Sequence, residues 1–337
     1  MADGLLTRAI DTVASRRDLS ADEAAEALAV IMTGDAGDEQ VAGLLIGLRT
    51  KGETPDELAG LARTMRALAE PVHAGRDDLV DTAGTGGGRS TFNVSTTAAL
   101  VAAGAGCAVA KHGNRSATGA SGSADVLEAL GVRIDLPPAA VARCIEEIGF
   151  GFMFAPAHHR AMRHVVGVRR ALQVRTVFNL LGPLTNPAGA RRQVIGVSDP
   201  PSLEVVAGAL ARLGADRALV VCSTDGFDEM SIAAATRVAA DVLISSSPSS
   251  LDTTSARSHP SRASACAMTS SMAGSETPMS WRRAPAGFVS GPRMLKTVRT
   301  ASSRRTGMTQ RMAAWWAGAN MKPKPVASTQ RATASGW

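Results

Sequence analysis

The sequence predicts an α/β protein: a small N-terminal helical domain followed by a larger α/β domain with a mostly parallel central sheet covered by helices. Two observations carry this prediction. Over the first 70 residues apolar positions recur every three and four residues, the helical period. After Pro71 short apolar runs alternate with helical stretches, which is the grammar of a parallel sheet buried on both faces. At 337 residues, 45% hydrophobic and 20% charged, the chain is long enough for two domains with a large core and ordinary in composition for a soluble globular protein.

The helical domain is expected over 1–71. Its segments are "ADEAAEALAVIMTG", "DEQVAGLLIGLRTKG" and "TPDELAGLARTMRALAE". The last opens with Thr54 as N-cap, Pro55 at the first helical position and acids in the first turn. The α/β domain is expected over 72–240. Strand candidates are "DDLVDTAG", "CAVAKHG", "FGFMFAP", "QVIGVSD" and "RALVVCST"; helix candidates are "STTAALVAAG", "SADVLEALG", "PPAAVARCIEEIG" and "PPSLEVVAGALARLGA". Further helices near 160–190 are expected to pack on the helical domain. Aromatics make up only 3%, with no tyrosine, so the core must rest on Ala, Val, Leu and Ile.

Residues 241–337 read differently, as a Ser/Arg-rich segment with no sustained period of two or 3.6, carrying all four tryptophans. They hold 13 Lys or Arg against 3 Asp or Glu, so the +6 of the whole chain leaves residues 1–240 at −4. Such composition marks a solvated, disordered tail or a shifted reading frame. The N-terminus lacks a signal-peptide apolar run and no stretch approaches a membrane span. Cys107, Cys144, Cys222 and Cys266 show no CxxC spacing. These features point to a cytoplasmic protein with free thiols and no membrane partner.

Three segments carry chemistry. "DTAGTGGGRSTFNVST", 81–96, joins a strand candidate to a helix expected near Ser95. Glycines at that junction let backbone N–H groups approach an anion, and the helix N-terminus adds positive partial charge. Taken alone, the loop fits either a phosphate cradle or a turn that makes room for helix–strand packing. No GK[ST] follows, which excludes a Walker loop, and a dinucleotide fingerprint fits poorly because the loop lacks G-x-G-x-x-G. "KHGNRSATGASGSADVLEALG", 111–131, repeats the strand, polar glycine loop and helix order, with Lys111 adding a full charge. "STDGFDEMS", 223–231, puts Asp228 and Glu229 on a loop at the same end of the sheet, as suits magnesium shared with phosphate oxygens.

Together with "RTVFNLLGPLTNP" at 175–187, these segments resemble the anthranilate phosphoribosyltransferase family over about residues 1–240. The resemblance implies transfer of the phosphoribosyl group of 5-phosphoribosyl 1-pyrophosphate to the amine of anthranilate, with pyrophosphate released, Mg2+ as cofactor and a homodimer formed through the helical domain. It assigns phosphoribosyl pyrophosphate to Gly84, Gly87, Gly88, Thr91, Asn93, Val94, Ser95, Thr96, Lys111, His112, Gly113, Asn114, Arg115, Ser116, Ala117, Thr118, Gly119 and Ser123. Anthranilate falls to Gly84, Asn114 and Arg169, with His112 and His159 close by, and the metal to Ser95, Asp228 and Glu229. Arg169 is apt because a guanidinium grips a carboxylate with two parallel bonds. No general base is assigned, since an aromatic amine is already a neutral nucleophile.

The chain departs from the family pattern at Gly88 and Arg89, where the loop usually carries an aspartate and where Arg89 is a candidate phosphate ligand, and at Arg160, where proline is common. Three other readings stay open on sequence: a pyrimidine nucleoside phosphorylase, a catalytically dead relative, and nucleic-acid binding by the basic tail with Trp281, Trp315 and Trp316. The arginines of that tail follow no clear face, which disfavours the last.

Overall fold

The computed structural model describes residues 2–89, 91–116 and 121–241. Its first lobe is four helices, α1 (Ala2–Ala14), α2 (Ala21–Thr33), α3 (Asp38–Lys51) and α4 (Pro55–Ala67). The starts of α2 and α4 are chemically marked. The Ser20 hydroxyl accepts the Glu23 N–H while the Glu23 carboxylate accepts the Ser20 N–H at 2.8 Å, and Thr54 and Glu57 repeat this box at α4 behind Pro55. Glu57 does more than cap. Fully buried, it accepts the Leu19 N–H at 2.9 Å, the Thr54 N–H at 2.8 Å and the Lys51 ammonium at 3.0 Å. One carboxylate therefore ties the approach to α2, the end of α3 and the start of α4.

The second lobe runs β1 (Val80–Gly84), α5 (Val94–Gly104), β2 (Val109–Gly113), α6 (Ser123–Ala129), α7 (Pro138–Ile148), β3 (Phe150–Phe154), α8 (Ala155–His158), a 3-10 turn at Arg160–Met162, α9 (Arg163–Leu172), α10 (Val177–Leu184), β4 (Arg192–Gly196), α11 (Pro200–Arg212), β5 (Arg217–Ser223) and β6 (Thr236–Asp241). The sheet order is β3-β2-β1-β4-β5-β6, parallel except for β6, which returns antiparallel beside β5. Successive strand residues face opposite sides. On β2, Val109 packs with Ala99 and Ala103 of α5 and Leu127 of α6, while Ala110 packs with Val141 and Ile145 of α7. On β4 and β5, Ile195, Val220 and Cys222 join the core of α11.

That same core continues into the helical lobe. Val165 and Val168 of α9 and Phe178 and Leu181 of α10 share one cluster with Leu44, Leu45, Leu58 and Leu61. Two features differ from the sequence expectation. Helix α5 starts at Val94, because the Asn93 side chain accepts the Thr96 N–H at 3.0 Å and caps it one residue early. Strand β6 was not expected, since "TRVAAD" lacks the aliphatic run that marks the other strands. Ala117, Thr118 and Gly119, and residues 242–337 with their basic, tryptophan-containing sequence, lie outside the described residues. Among the described residues no helix is long and apolar enough to cross a membrane.

Candidate phosphate and metal site

The parallel strands bring Gly84, Gly113, Gly196 and Ser223 to one edge of the sheet, and the chemistry-bearing loops leave from there. Ligands of open parallel sheets bind outside this edge, where the strand order reverses on either side of the first strand. The glycine loop turns through left-handed backbone at Gly86 (φ 67°) and Gly87 (φ 86°), which non-glycine residues rarely adopt. Its amide side faces the third loop: the Gly86 N–H donates to the Asp228 carboxylate at 2.9 Å, and the Arg89 N–H donates to the Gly226 carbonyl at 2.8 Å. Gly84 and Gly88 leave the space this requires, since a Cβ on either would lie 2.8–2.9 Å from an Asp228 oxygen. The Arg89 guanidinium stacks over Phe227, 5.5 Å from the ring centre, so here it braces the two loops against each other.

Below the loops lies a buried charge cluster. Lys111 is fully buried, and its ammonium donates to the Thr82 carbonyl at 2.5 Å and to the Ser95 hydroxyl at 3.5 Å. Burial pulls its pKa down, while Asp81 and Glu229 favour the charged form. Glu229 is pushed up to about 7, first by burial and then by the neighbouring Asp228, against the pull of Lys111. Among the described residues no donor hydrogen-bonds to its carboxylate, and a half-buried carboxylate in that condition seeks a cation.

Magnesium answers that need, because it takes one or two carboxylates and fills its remaining positions with water and phosphate oxygens. Among the described residues no cluster of three or more His, Cys, Asp or Glu is placed to hold a metal on its own. The Ser95, Asp228 and Glu229 donor set fits magnesium bound jointly with a phosphate ligand.

The second loop is less uniform. Asn114 accepts the Arg115 N–H on its side chain at 2.7 Å and the Ala124 N–H on its carbonyl at 3.2 Å, closing the turn into α6. Asp125 accepts the N–H groups of Ser116 and Gly122 at 3.1 and 2.8 Å. Ser123 packs its side chain against Gly113, where a Cβ would lie 2.9 Å from it. The Arg115 guanidinium, however, is held by Asp125 at 2.9 Å and Glu128 at 2.7 Å on α6.

On the other flank, Arg169 of α9 stacks over Phe178 at 5.2 Å, and its guanidinium has no hydrogen-bond or ion-pair partner among the described residues. His112 and His159 meet with ring centres 5.1 Å apart, and each keeps a buried Nε2 without a partner among the described residues. Burial, reinforced by His158, lowers His159 to about 4, and burial with His159 holds His112 well below the usual histidine range. Both rings are neutral near pH 7, polar but uncharged walls.

Arg175 was missed on sequence. Its guanidinium donates to the Gly86 carbonyl and, at 3.4 Å, to the Thr85 carbonyl, so the glycine loop is gripped by Arg175 on its carbonyl side and Asp228 on its amide side. The signal was available: Arg175 heads the motif "RTVFNLLGPLTNP", and a charge opening an otherwise apolar motif needs a polar partner.

Family models match in two parts: a glycosyl transferase family helical bundle domain at 7–69 and a glycosyl transferase family a/b domain at 76–246. Anthranilate phosphoribosyltransferase of Chromohalobacter salexigens is 56% identical over 232 residues, covering 68% of each chain. A crystal structure of anthranilate phosphoribosyltransferase from Thermus thermophilus superposes with TM-score 0.66 at 51% identity, covering 69% of this chain and 70% of that one. The Saccharomyces cerevisiae enzyme in complex with PRPP and Mg superposes with TM-score 0.65 at 30% identity, over 70% of each chain.

Proposed function

The chain belongs to the anthranilate phosphoribosyltransferase family, and on that premise we propose that it joins the amine of anthranilate to C1 of the ribose of 5-phosphoribosyl 1-pyrophosphate. The C–N bond forms as the C1–O bond to pyrophosphate breaks, and the amine proton leaves to solvent. The observation that carries the reading is the junction of the glycine loop with Asp228 beside the buried Lys111, Ser95 and Glu229 group.

The Gly87 and Gly88 amides and the N-terminus of α5, around Thr91 to Thr96, would take the phosphates, and Lys111 supplies the buried positive charge. Asn114, Ser123 and the loop between them would complete that site. Ser95, Asp228 and Glu229 would hold magnesium, which supplies charge neutralisation of the leaving pyrophosphate. Arg169, with its guanidinium uncommitted, would receive the anthranilate carboxylate, and neutral His112 and His159 would line the pocket without competing for that carboxylate. The protein's share of the catalysis is then orientation and a fixed electrostatic field. The family premise also supports a homodimer through the helical lobe, a cytoplasmic location and no nucleic-acid partner.

The test is loss of anthranilate fluorescence on adding 5-phosphoribosyl 1-pyrophosphate, with and without magnesium. Magnesium-dependent loss is expected. A folded protein that leaves anthranilate untouched but phosphorolyses thymidine would overturn the assignment in favour of a nucleoside phosphorylase.

A further inference from the structure

The sheet is not uniformly zipped. β1 registers with β4 over five pairs, from Val80↔Arg192 to Gly84↔Gly196, yet with β2 at the single pair Val80↔Val109. Beyond that pair no backbone register between the two strands continues toward the edge that carries the glycine loop. Backbone groups in a buried gap must still be paired, and here side chains do it. The Asp81 carboxylate accepts the His112 N–H at 3.2 Å and the Thr82 N–H at 2.8 Å on one oxygen, and the Asn186 amide at 2.7 Å on the other. The same Asn186 nitrogen donates to the Ala110 carbonyl at 2.8 Å, and its oxygen accepts the Ala188 N–H at 2.9 Å. Lys111 crosses the gap to the Thr82 carbonyl. Asp81 and Lys111 are fully buried and Asn186 is 2% exposed.

A carboxylate is expensive to bury without compelling partners. This one has three donors, and the Lys111 charge stands across from it on the adjacent strand. Had Asp81 been an aliphatic residue, β1 and β2 could close by ordinary parallel pairing, and Lys111 would lose the carboxylate that keeps its ammonium inside the protein. Both changes would act on the place where Lys111 reaches Ser95.

We propose that Asp81 and Asn186 are positioning residues for the phosphate site: together they wedge β1 from β2 and fix the Lys111 ammonium beside Ser95. They touch no ligand themselves and act through Lys111. The proposal rests on the transferase reading only for the identity of the phosphate ligand.

The test uses the full chain, with magnesium pyrophosphate as the binding probe and anthranilate turnover as the activity probe. Asp81→Asn keeps the shape but turns an NH2 toward the NH2 of Asn186. Flipping Asn186 would not relieve this, because it would forfeit the bonds to Ala110 and Ala188. The expected result is pyrophosphate binding weakened at least tenfold by calorimetry and a KM for phosphoribosyl pyrophosphate raised at least tenfold. The kcat at saturation and the KM for anthranilate should stay within threefold, a split that general loosening of the fold would not give. Asn186→Ala, which removes the partner and leaves the carboxylate, should show the same split and serves if Asp81→Asn does not fold. Pyrophosphate binding within twofold of the parent in a folded variant overturns the proposal. If the parent binds pyrophosphate but turns over no anthranilate, the transferase reading fails while the binding arm still decides the role of Asp81. If the parent binds no pyrophosphate, both fall.

Discussion

Gly196 offers the sharpest test of how the candidate site is built. It ends β4, and its carbonyl accepts the Thr85 N–H of the glycine loop at 2.9 Å. A Cβ added there would lie 2.5 Å from the carbonyl carbon of Asp228 and nearer still to its oxygen. The oxygen is the controlling contact, at 1.6 Å, and a real Cβ essentially never comes within 3.0 Å of another heavy atom, so the loop must retreat by about 1.4 Å or more in Gly196→Ala. Overpacking of this kind costs about 1–3 kcal/mol, which for a folded body of this size lowers Tm by about 2–12 °C. Because the displaced segment carries Asp228 and Glu229, and a misplacement of about 1 Å can cost on the order of a hundredfold in rate, kcat/KM should fall by about that factor. Urea unfolding followed by far-ultraviolet circular dichroism, with the fluorescence assay on the same samples, reads both effects. Gly167→Ala is the control: it sits within α9 with open space around its would-be Cβ, and should gain about 0.5–1 kcal/mol. Should Gly196→Ala match the parent within about 0.5 kcal/mol and retain its activity, the close packing of the acidic loop on β4 is not what positions Asp228.

Glu57→Ala would leave the Lys51 ammonium, whose side chain is 4% exposed, with Asp18 and the Gly52 carbonyl and strand the Leu19 N–H; a loss of about 3 kcal/mol is expected in urea unfolding, and less than about 1 would refute the role given to this carboxylate. The His159 pKa of about 4 lies below the unfolded value near 6.5, so protons favour the unfolded chain: this contribution is complete above about pH 6.5 and is lost as pH falls toward 4. The gap corresponds to about 3 kcal/mol, and His159→Phe should flatten the acid limb of a stability-against-pH curve. Arg169→Lys keeps the charge but not the fork, and should raise the KM for anthranilate by roughly tenfold or more while leaving that for phosphoribosyl pyrophosphate unchanged.

The alternation of "CAVAKHG" and "RALVVCST" with amphipathic stretches made five strands and the flanking helices readable, because apolar periodicity is set by the same burial that builds the sheet. β6 escaped because its residues, apart from Val238, are small or polar, and among the described residues it pairs on one side only. The glycine loop, Lys111 and the Asp228–Glu229 pair stood out on sequence only in combination: each alone also suits a packing turn or a solvated surface, and it is their recurrence at successive strand ends that points to phosphate and metal chemistry. Asp81 was not. It sits inside "DDLVDTAG" and reads as a polar interruption of a strand, and its meaning depends on Lys111 and Asn186, 30 and 105 residues further on. Sequence spacing carries no trace of a partnership made by tertiary folding. Arg89, a candidate phosphate ligand on sequence, stacks its guanidinium over Phe227, a contact between loops that pattern alone does not reveal.

The core described above is assembled from aliphatic side chains and a few phenylalanines, and the body from residue 2 to 241 contains neither tryptophan nor tyrosine. Excited near 295 nm the folded lobes are therefore dark, and all intrinsic tryptophan emission of the chain arises from Trp281, Trp315, Trp316 and Trp337. A melting curve recorded by that emission reports the surroundings of these four residues and carries no signal from an indole inside the lobes. The same darkness makes the body a clean background for a fluorescent ligand, whose emission there is free of any donor or quencher indole within the sheet.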